Sequence, residues 1–266
     1  MVYNTNGSSH RIGVINEIDI CNFLNMNEDT DPLTFRRDLN CSTRKLVYKH
    51  IGGTSSVSDM DIIQGGDVLA STSIKNHKTG TFDYINTSKI KELLPMNIIN
   101  KMDLFKKSII HNYHGDHTKI NHVREKNNEF TNSIFKYINS DNIKNILLII
   151  HKRNPKYMVI NDISCNKLKV YKHSQLKELS NYPKLNDTNY ILKSKNASTS
   201  RSIYRVTSGG EEINTNLRIR ITFNNGINAL LGLSSSNKTS TYTIKVQQDN
   251  IDKVLETIES FSECSY

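Results

Sequence analysis

Tryptophan is absent from this chain of 266 residues, and its four cysteines are scattered along it. No two of them form a Cys-x-x-Cys pair, so we expect reduced thiols in a cytoplasmic protein rather than disulfides. No apolar run approaches the length of a membrane span, and the short run at 146–150 predicts only a buried element. Residues 1–11 lack the apolar core of a signal peptide.

Acidic residues are also in deficit, because 26 Asp and Glu stand against 35 Lys and Arg and leave a net charge of +9. A basic chain favours polyanionic partners, since phosphates that are neutralised by the protein release their counterions. Neither a P-loop nor a dinucleotide-binding fingerprint is present, and Gly209-Gly210 predicts a turn. Hydrophobic residues make up 36% of the chain, which is low but sufficient for a core.

The spacing of the apolar residues predicts a single α/β domain over residues 1–266, in which helices flank a mixed central sheet. A first helix over 13–24 would bury a stripe of Val14, Ile18, Cys21 and Leu24. Further strands are predicted at 46–48, 57–63, 68–75, 157–163, 168–171, 217–223 and 242–246, with helices at 89–95, 97–150 (broken near 115) and 250–261, turns at 65–66, 79–80, 166 and 224–226, and a loop at 194–202.

Acids and a lysine face one another across the predicted hairpin of 57–63 and 68–75. Side chains alternate between the two faces of a strand, so Asp59 shares a face with Asp61, and Lys75 shares one with Ser71 and Ser73. Such a set suits phosphodiester hydrolysis, in which a carboxylate holds a divalent cation and a lysine orients or deprotonates water. The alternative is an ordinary hairpin with solvated charges.

The first helix carries an acid within or beside its apolar stripe. Glu17 lies three residues after Val14 and four before Cys21. A carboxylate in that position is costly unless a cation or a polar partner compensates it. Glu17 therefore either reaches water from the edge of the stripe or belongs to a site at the hairpin.

These segments resemble the PD-(D/E)xK nucleases, the fold shared by most type II restriction endonucleases. Asp59 at a strand start is followed by Ser73-Ile74-Lys75 on the next strand, and the helix around Glu17 resembles an N-terminal helix that can bear an active-site glutamate. The resemblance covers residues 1–90 well and the rest loosely. It departs at Ser58, where the family has proline, and at Ser73, where it has an acid; Glu17 or Asp61 would supply the missing acid.

The resemblance implies a Mg²⁺-dependent endonuclease that cleaves double-stranded DNA at a short sequence. Asp59 would bind the metal with Glu17 or Asp61, and Lys75 would position the water beside Ser73. A homodimer on a palindromic site and a cognate DNA methyltransferase are the implied partners. Residues 12–95 would form the catalytic core region, and 96–266 would serve DNA reading and oligomerisation. The alternatives are a non-catalytic DNA-binding protein on the same scaffold, or a nuclease acting on RNA or damaged DNA.

Two further groups of residues are candidates for binding. Basic residues suited to phosphates and base edges, or else to salt bridges and a solvated surface, are Lys78, Lys193, Lys195, Arg201, Arg205, Arg218 and Arg220. Four histidines around Gly115 suit either zinc or a polar segment that faces DNA, and they are His111, His114, His117 and His122.

Overall fold

The structure is a computed structural model of the chain. It describes residues 9–41, 45–52, 58–76, 82–87, 94–153, 155–173, 189–194, 199–234, 240–249, 255–256 and 258–266. The chain divides into two compact units, the first over 1–80, 151–180 and 251–266 and the second over 81–150 and 181–250. In the described ranges, no helix combines the length and the apolar character that crossing a membrane requires.

The first unit is built on a six-stranded mixed sheet. Its strands are β1 (Leu46–His50), β2 (Met60–Gln64), β3 (Asp67–Asn76), β5 (Tyr157–Asp162), β6 (Lys167–Lys172) and β11 (Ser262–Ser265). The strand order is β1-β2-β3-β5-β6-β11, and only β3 and β5 run parallel. The predicted mixed sheet is thus confirmed for this unit.

Both predicted hairpins of this sheet are confirmed, and their turns have a local cause. Gly65 and Gly66 join β2 to β3 with φ angles of 61° and 100°, a region that costs glycine little. Asn166, with a φ of 51°, makes the turn between β5 and β6.

Helix α1 (Ser9–Met26) covers one face of this sheet. Its buried side chains are Ile20, Cys21 and Leu24, which join the core that contains Met60, Ile62 and Ile74 of the sheet. The predicted stripe is confirmed at Cys21 and Leu24 and wrong at Ile18, which is 40% exposed, so the buried face is rotated slightly towards Ile20. Glu17 precedes Ile20 and Cys21 by three and four residues and therefore lies on the buried stripe itself.

The short helix α2 (Phe35–Asp38) anchors the other end of β5 and β6. Asp38 accepts a hydrogen bond from the Tyr157 hydroxyl at 2.5 Å, and its carboxylate pairs with Lys172 and, at 3.5 Å, with Lys156. Burial raises the pKa of Asp38, but the hydrogen bonds from Lys172 and Tyr157 outweigh it, so the pKa lies below its usual 3.8.

The second unit has a five-stranded antiparallel sheet of its own. Its strands are β4 (Phe82–Thr87), β7 (Asn189–Lys193), β8 (Ser200–Val206), β9 (Glu212–Phe223) and β10 (Tyr242–Gln248), in the order β4-β10-β9-β8-β7. The helices that follow β4 and β9 are α3 (Met96–Tyr113), α4 (Ile120–Phe135), α5 (Ser140–Arg153) and α6 (Gly226–Leu230). Helix α4 packs on one sheet face, where Asn127 accepts a hydrogen bond from Tyr242 at 3.0 Å.

Several expectations about the chain's organisation differ from the structure or fall on residues outside the described ranges. The predicted loop at 194–202 becomes strand β8 from Ser200 onward, and 224–226 leads into α6 rather than into a tight hairpin. Of the predicted helix at 250–261, residues 250–254 and 257 lie outside the described residues, and 255–256 are helical. The chain then closes with β11. The predicted turn at 79–80 and residues 89–93 of the helix predicted at 89–95 lie outside the described residues. The division into a catalytic region at 12–95 and a DNA-reading region at 96–266 stays a prediction, and its boundary differs from that of the two compact units.

Candidate active site

The candidate site lies at one edge of the mixed sheet. Because β2 is antiparallel to both neighbours, the start of β2 lies beside the end of β1 and the end of β3, with Met60 paired to His50 and to Thr72. Strand β5 is parallel to β3, so its end reaches the same edge, where Asn161 pairs with Asn76. The ends of four strands therefore lie together at the position of Asp59, the predicted metal ligand.

Asp59 and Lys75 contact each other at this edge, as the sequence predicted. Asp59 Oδ2 lies 3.4 Å from Lys75 Nζ and accepts a hydrogen bond from the Ile74 backbone N–H at 2.7 Å. The Asp59 backbone is held from both sides, by Ile51 at 3.1 Å and by Thr72 at 2.9 Å. The Asp59 carboxylate is thus fixed by the ladder and still 18% exposed.

The second acid of β2 has a different partner. Asp61 is paired with Ser71 across the hairpin, and its Oδ1 accepts a hydrogen bond from the Ser71 hydroxyl at 2.6 Å. Lys75 contacts Asp59, which favours Asp59 over Asp61 as the acid that works with the lysine.

Helix α1 reaches the same edge through two consecutive residues. The Asn161 amide donates a hydrogen bond to Asn16 Oδ1 at 2.6 Å, and His50 Nε2 lies 2.9 Å from Glu17 Oε2. Sequence reasoning missed His50 and Asn161, since nothing local links residues that lie 33 and 145 positions from their partners.

Glu17 lies close enough to the hairpin to sense its charges. Burial raises the pKa of Glu17, the hydrogen bond from His50 lowers it, and the negative charge of Asp59 raises it again; the net effect is upward. The positive charge of Lys75 acts in the opposite direction. The neighbouring thiol of Cys21 senses the same acids, because burial and the charges of Glu17 and Asp59 raise its pKa to about 12.

Ser73 occupies the position where the resembled family has its second acid. It is buried, and its hydroxyl lies 3.4 Å from Nε2 of His173, which is itself buried just after β6. Burial and the charge of Lys75 lower the pKa of His173 to about 4, so its imidazole is neutral at pH 7. A neutral pair therefore stands in place of a carboxylate.

The two carboxylates of this edge have the chemistry of ligands for a divalent cation. Glu17 and Asp59 supply the hard oxygen donors that Mg²⁺ prefers. Burial is the main reason that the pKa of Glu17 is raised, the negative charge of Asp59 adds to it, and a cation would offset both. Among the described residues, no group of three or more His, Cys, Asp or Glu side chains has the geometry to hold a metal. A cation here would keep several water ligands, as Mg²⁺ commonly does.

The predicted DNA-binding residues that are described lie on the second unit. Arg218 lies 3.0 Å from Gln247 and forms an ion pair with Asp249 at 3.1 Å. Arg220 is exposed on the same face of β9 and stands directly opposite Lys245 of β10.

The remaining basic candidates differ in how far they are already engaged. Arg201 donates to Asn132 of α4 at 2.8 Å and lies over the Phe135 ring at 4.8 Å, so it has a structural role as well. Lys193 is exposed and pairs with Glu212, and Arg205 is half-buried. Lys78 and Lys195 lie outside the described residues.

The predicted histidine cluster is spread over three elements of the second unit. His111 lies on α3, His114 ends that helix, His117 lies in the following 3-10 turn, and His122 lies on α4, 3.3 Å from the Tyr113 hydroxyl. Gly115, with a φ of 79°, breaks the helix as predicted. The four histidines do not form a metal site among the described residues.

Comparison of the chain with known protein families, with curated proteins and with solved structures finds no match.

Proposed function

We propose that this chain is a Mg²⁺-dependent DNA endonuclease of the PD-(D/E)xK type. The observation that carries the proposal is the contact between Asp59 and Lys75 at the strand edge that also receives Glu17 from α1. A lone pair of opposite charges would be an ordinary salt bridge, but a second, partly buried acid within electrostatic reach of it suits cation-assisted phosphodiester hydrolysis.

Each residue of this edge has a proposed task in the hydrolysis of a phosphodiester. Asp59 and Glu17 would hold the cation, which supplies positive charge at the scissile phosphate and lowers the pKa of water. Lys75, fixed against Asp59, would orient the attacking water or donate to a phosphate oxygen as negative charge develops there. Ser73 and neutral His173 add no charge, so Glu17 takes over the role of the acid that is missing from β3.

The positive face of the second sheet supports DNA as the substrate. Arg220 and Lys245 lie opposite each other on adjacent strands, which places two cationic side chains side by side. Such a pair suits the binding of a phosphate. The proposed enzyme is a homodimer that cleaves both DNA strands at a short sequence. Its proposed partner is a DNA methyltransferase that modifies the same sequence.

The proposal is tested by incubating purified protein with supercoiled plasmid and phage DNA in Mg²⁺, with EDTA as the negative control. Discrete fragments that disappear in EDTA and in the Asp59→Asn variant are the expected result. RNA and damaged DNA are tested as alternative substrates. If either is cleaved in preference to intact DNA, it becomes the proposed substrate instead of intact double-stranded DNA.

Ser73 favours a second candidate function, that of a DNA-binding protein without catalysis. A nuclease scaffold that has exchanged an acid of β3 for a serine bonded to a neutral histidine has lost one of its cation ligands. Salt-dependent DNA binding without cleavage in Mg²⁺ or Mn²⁺ would establish this candidate and overturn the first.

A further inference from the structure

The Glu17 carboxylate is held by a side chain from the strand that faces it. His50, the last residue of β1, pairs with Met60 of the core, and therefore lies on the sheet face that α1 covers. Its Nε2 lies 2.9 Å from Glu17 Oε2, and both side chains are largely buried, with 21% and 17% of their surface exposed. Because both groups are largely removed from water, either one would lose free energy of solvation without regaining a hydrogen bond if the contact were broken.

We propose that His50 is a positioning residue of the cation site, which holds Oε2 of Glu17 so that Oε1 is directed to the cation shared with Asp59. The inference rests on the proposed function for its cation, and it adds a residue that neither the hairpin pattern nor the family resemblance identifies. An imidazole that donates an N–H to a ligating carboxylate fixes that carboxylate's rotamer, and loss of such an outer partner commonly lowers metal affinity about 10–100-fold.

Gly52 lies directly against this pair, at a position where a larger residue would not fit. A Cβ atom at Gly52 would lie 2.6 Å from Glu17 Oε2 and 2.7 Å from His50 Nε2. Both distances are too short for real contacts, so any larger residue would push the carboxylate and the imidazole from their present positions. The displaced atoms are the tips of side chains, which can move while the fold survives.

Asn16 fixes the helix on which Glu17 stands. The hydrogen bond from Asn161 to Asn16 joins α1 to the end of β5 one residue before the acid. The backbone of Glu17 is thus fixed by Asn161 and its carboxylate by His50, which leaves little freedom for the second carboxylate oxygen.

The test measures cation binding directly, by titrating the full chain with Mn²⁺ and following free Mn²⁺ by electron paramagnetic resonance. We expect His50→Ala to weaken Mn²⁺ binding about 10–100-fold and His50→Gln, which retains an N–H donor, to restore most of the affinity. Val47→Ala is the matched control, because Val47 lies on the same strand with 46% of its surface exposed, and it should bind Mn²⁺ as the wild type does. Thermal unfolding of each variant verifies the fold.

Gly52→Ala keeps the inference testable if His50→Ala fails to fold. It leaves both partners in the chain, and we expect the same loss of Mn²⁺ affinity from the displaced carboxylate. Wild-type affinity in a folded His50→Ala or Gly52→Ala protein would overturn the inference, as would a His50→Gln protein that binds no better than His50→Ala, or a wild type that binds no Mn²⁺. If the His50 variants bind Mn²⁺ more weakly but the wild type cleaves no DNA, the positioning role of His50 is supported and only the proposed nuclease activity is overturned.

Discussion

Removal of the Lys75 ammonium should slow cleavage severely at little cost in stability. The Lys75→Ala variant loses an ion pair of 3.4 Å between groups that are 27% and 18% exposed, and pairs of this kind contribute about 0–1 kcal/mol. Asp59 keeps its hydrogen bond from the Ile74 N–H, so its charge is not left without a partner. Loss of a group that stabilises the transition state costs about 2.7–4 kcal/mol, roughly 100- to 1,000-fold in rate. The effect on the rate therefore exceeds the effect on folding.

The assay for Lys75→Ala is single-turnover cleavage of plasmid DNA, with DNA binding measured separately by a mobility shift. Lys167→Ala is the matched control, since it breaks another ion pair of the same sheet, with Glu263 at 2.9 Å, and should cleave at the wild-type rate. Undiminished cleavage by Lys75→Ala would refute the assignment of the lysine. A loss of cleavage that is matched by an equal loss of DNA binding would refute the reasoning that Lys75 acts in the transition state.

Four further predictions follow from the contacts of single residues. Asp59→Asn should not cleave DNA even in high Mg²⁺. If Asp59→Asn cleaves normally and Asp61→Asn does not, Asp61 rather than Asp59 is the principal metal ligand. Glu17→Gln should fold and bind DNA but cleave at least tens of times more slowly in the same plasmid assay, because it keeps the size and loses the charge. Asp38→Asn should lower the free energy of unfolding at pH 7 by about 1.5–3 kcal/mol. Since the folded-state pKa of Asp38 lies below 3.8, this stabilisation is present above that pH and is lost as the pH falls through the lower value, so wild type and variant should converge in acid unfolding. Arg220→Ala should weaken DNA binding equally for all sequences and reduce the slope of log affinity against log salt by about 1.

The hairpin could be predicted because its signals are local. Alternating side chains and a Gly-Gly pair at φ angles of 61° and 100° define β2, β3 and the turn between them within twenty residues of sequence. The contact between Asp59 and Lys75 then follows from the register of the two strands. Helix α1 was also predicted, but its rotation depends on the sheet it covers, so Ile18 was placed inside where Ile20 is found.

The partners of the site residues could not be predicted, because they come from distant segments. His173 lies 100 residues from Ser73 along the chain, and only the pairing of β3, β5 and β6 brings them together. Strand β8 was missed for a different reason: Ser200 and Ser202 give it a polar outer face that has the composition of a loop, and its pairing with β9 overrides that composition.

The position of Glu17 is difficult to explain by folding alone. It stands on the buried stripe of α1 with Ile20, Cys21 and Leu24, where an apolar side chain would be more stable. It also stands within electrostatic reach of Asp59, which makes its charge more costly still. A hydrogen bond from His50 and the ammonium of Lys75 offset part of that cost, and the pKa of Glu17 is raised nonetheless. Two carboxylates within electrostatic reach of each other, one of them packed against Gly52 and His50, are an arrangement that a divalent cation would stabilise.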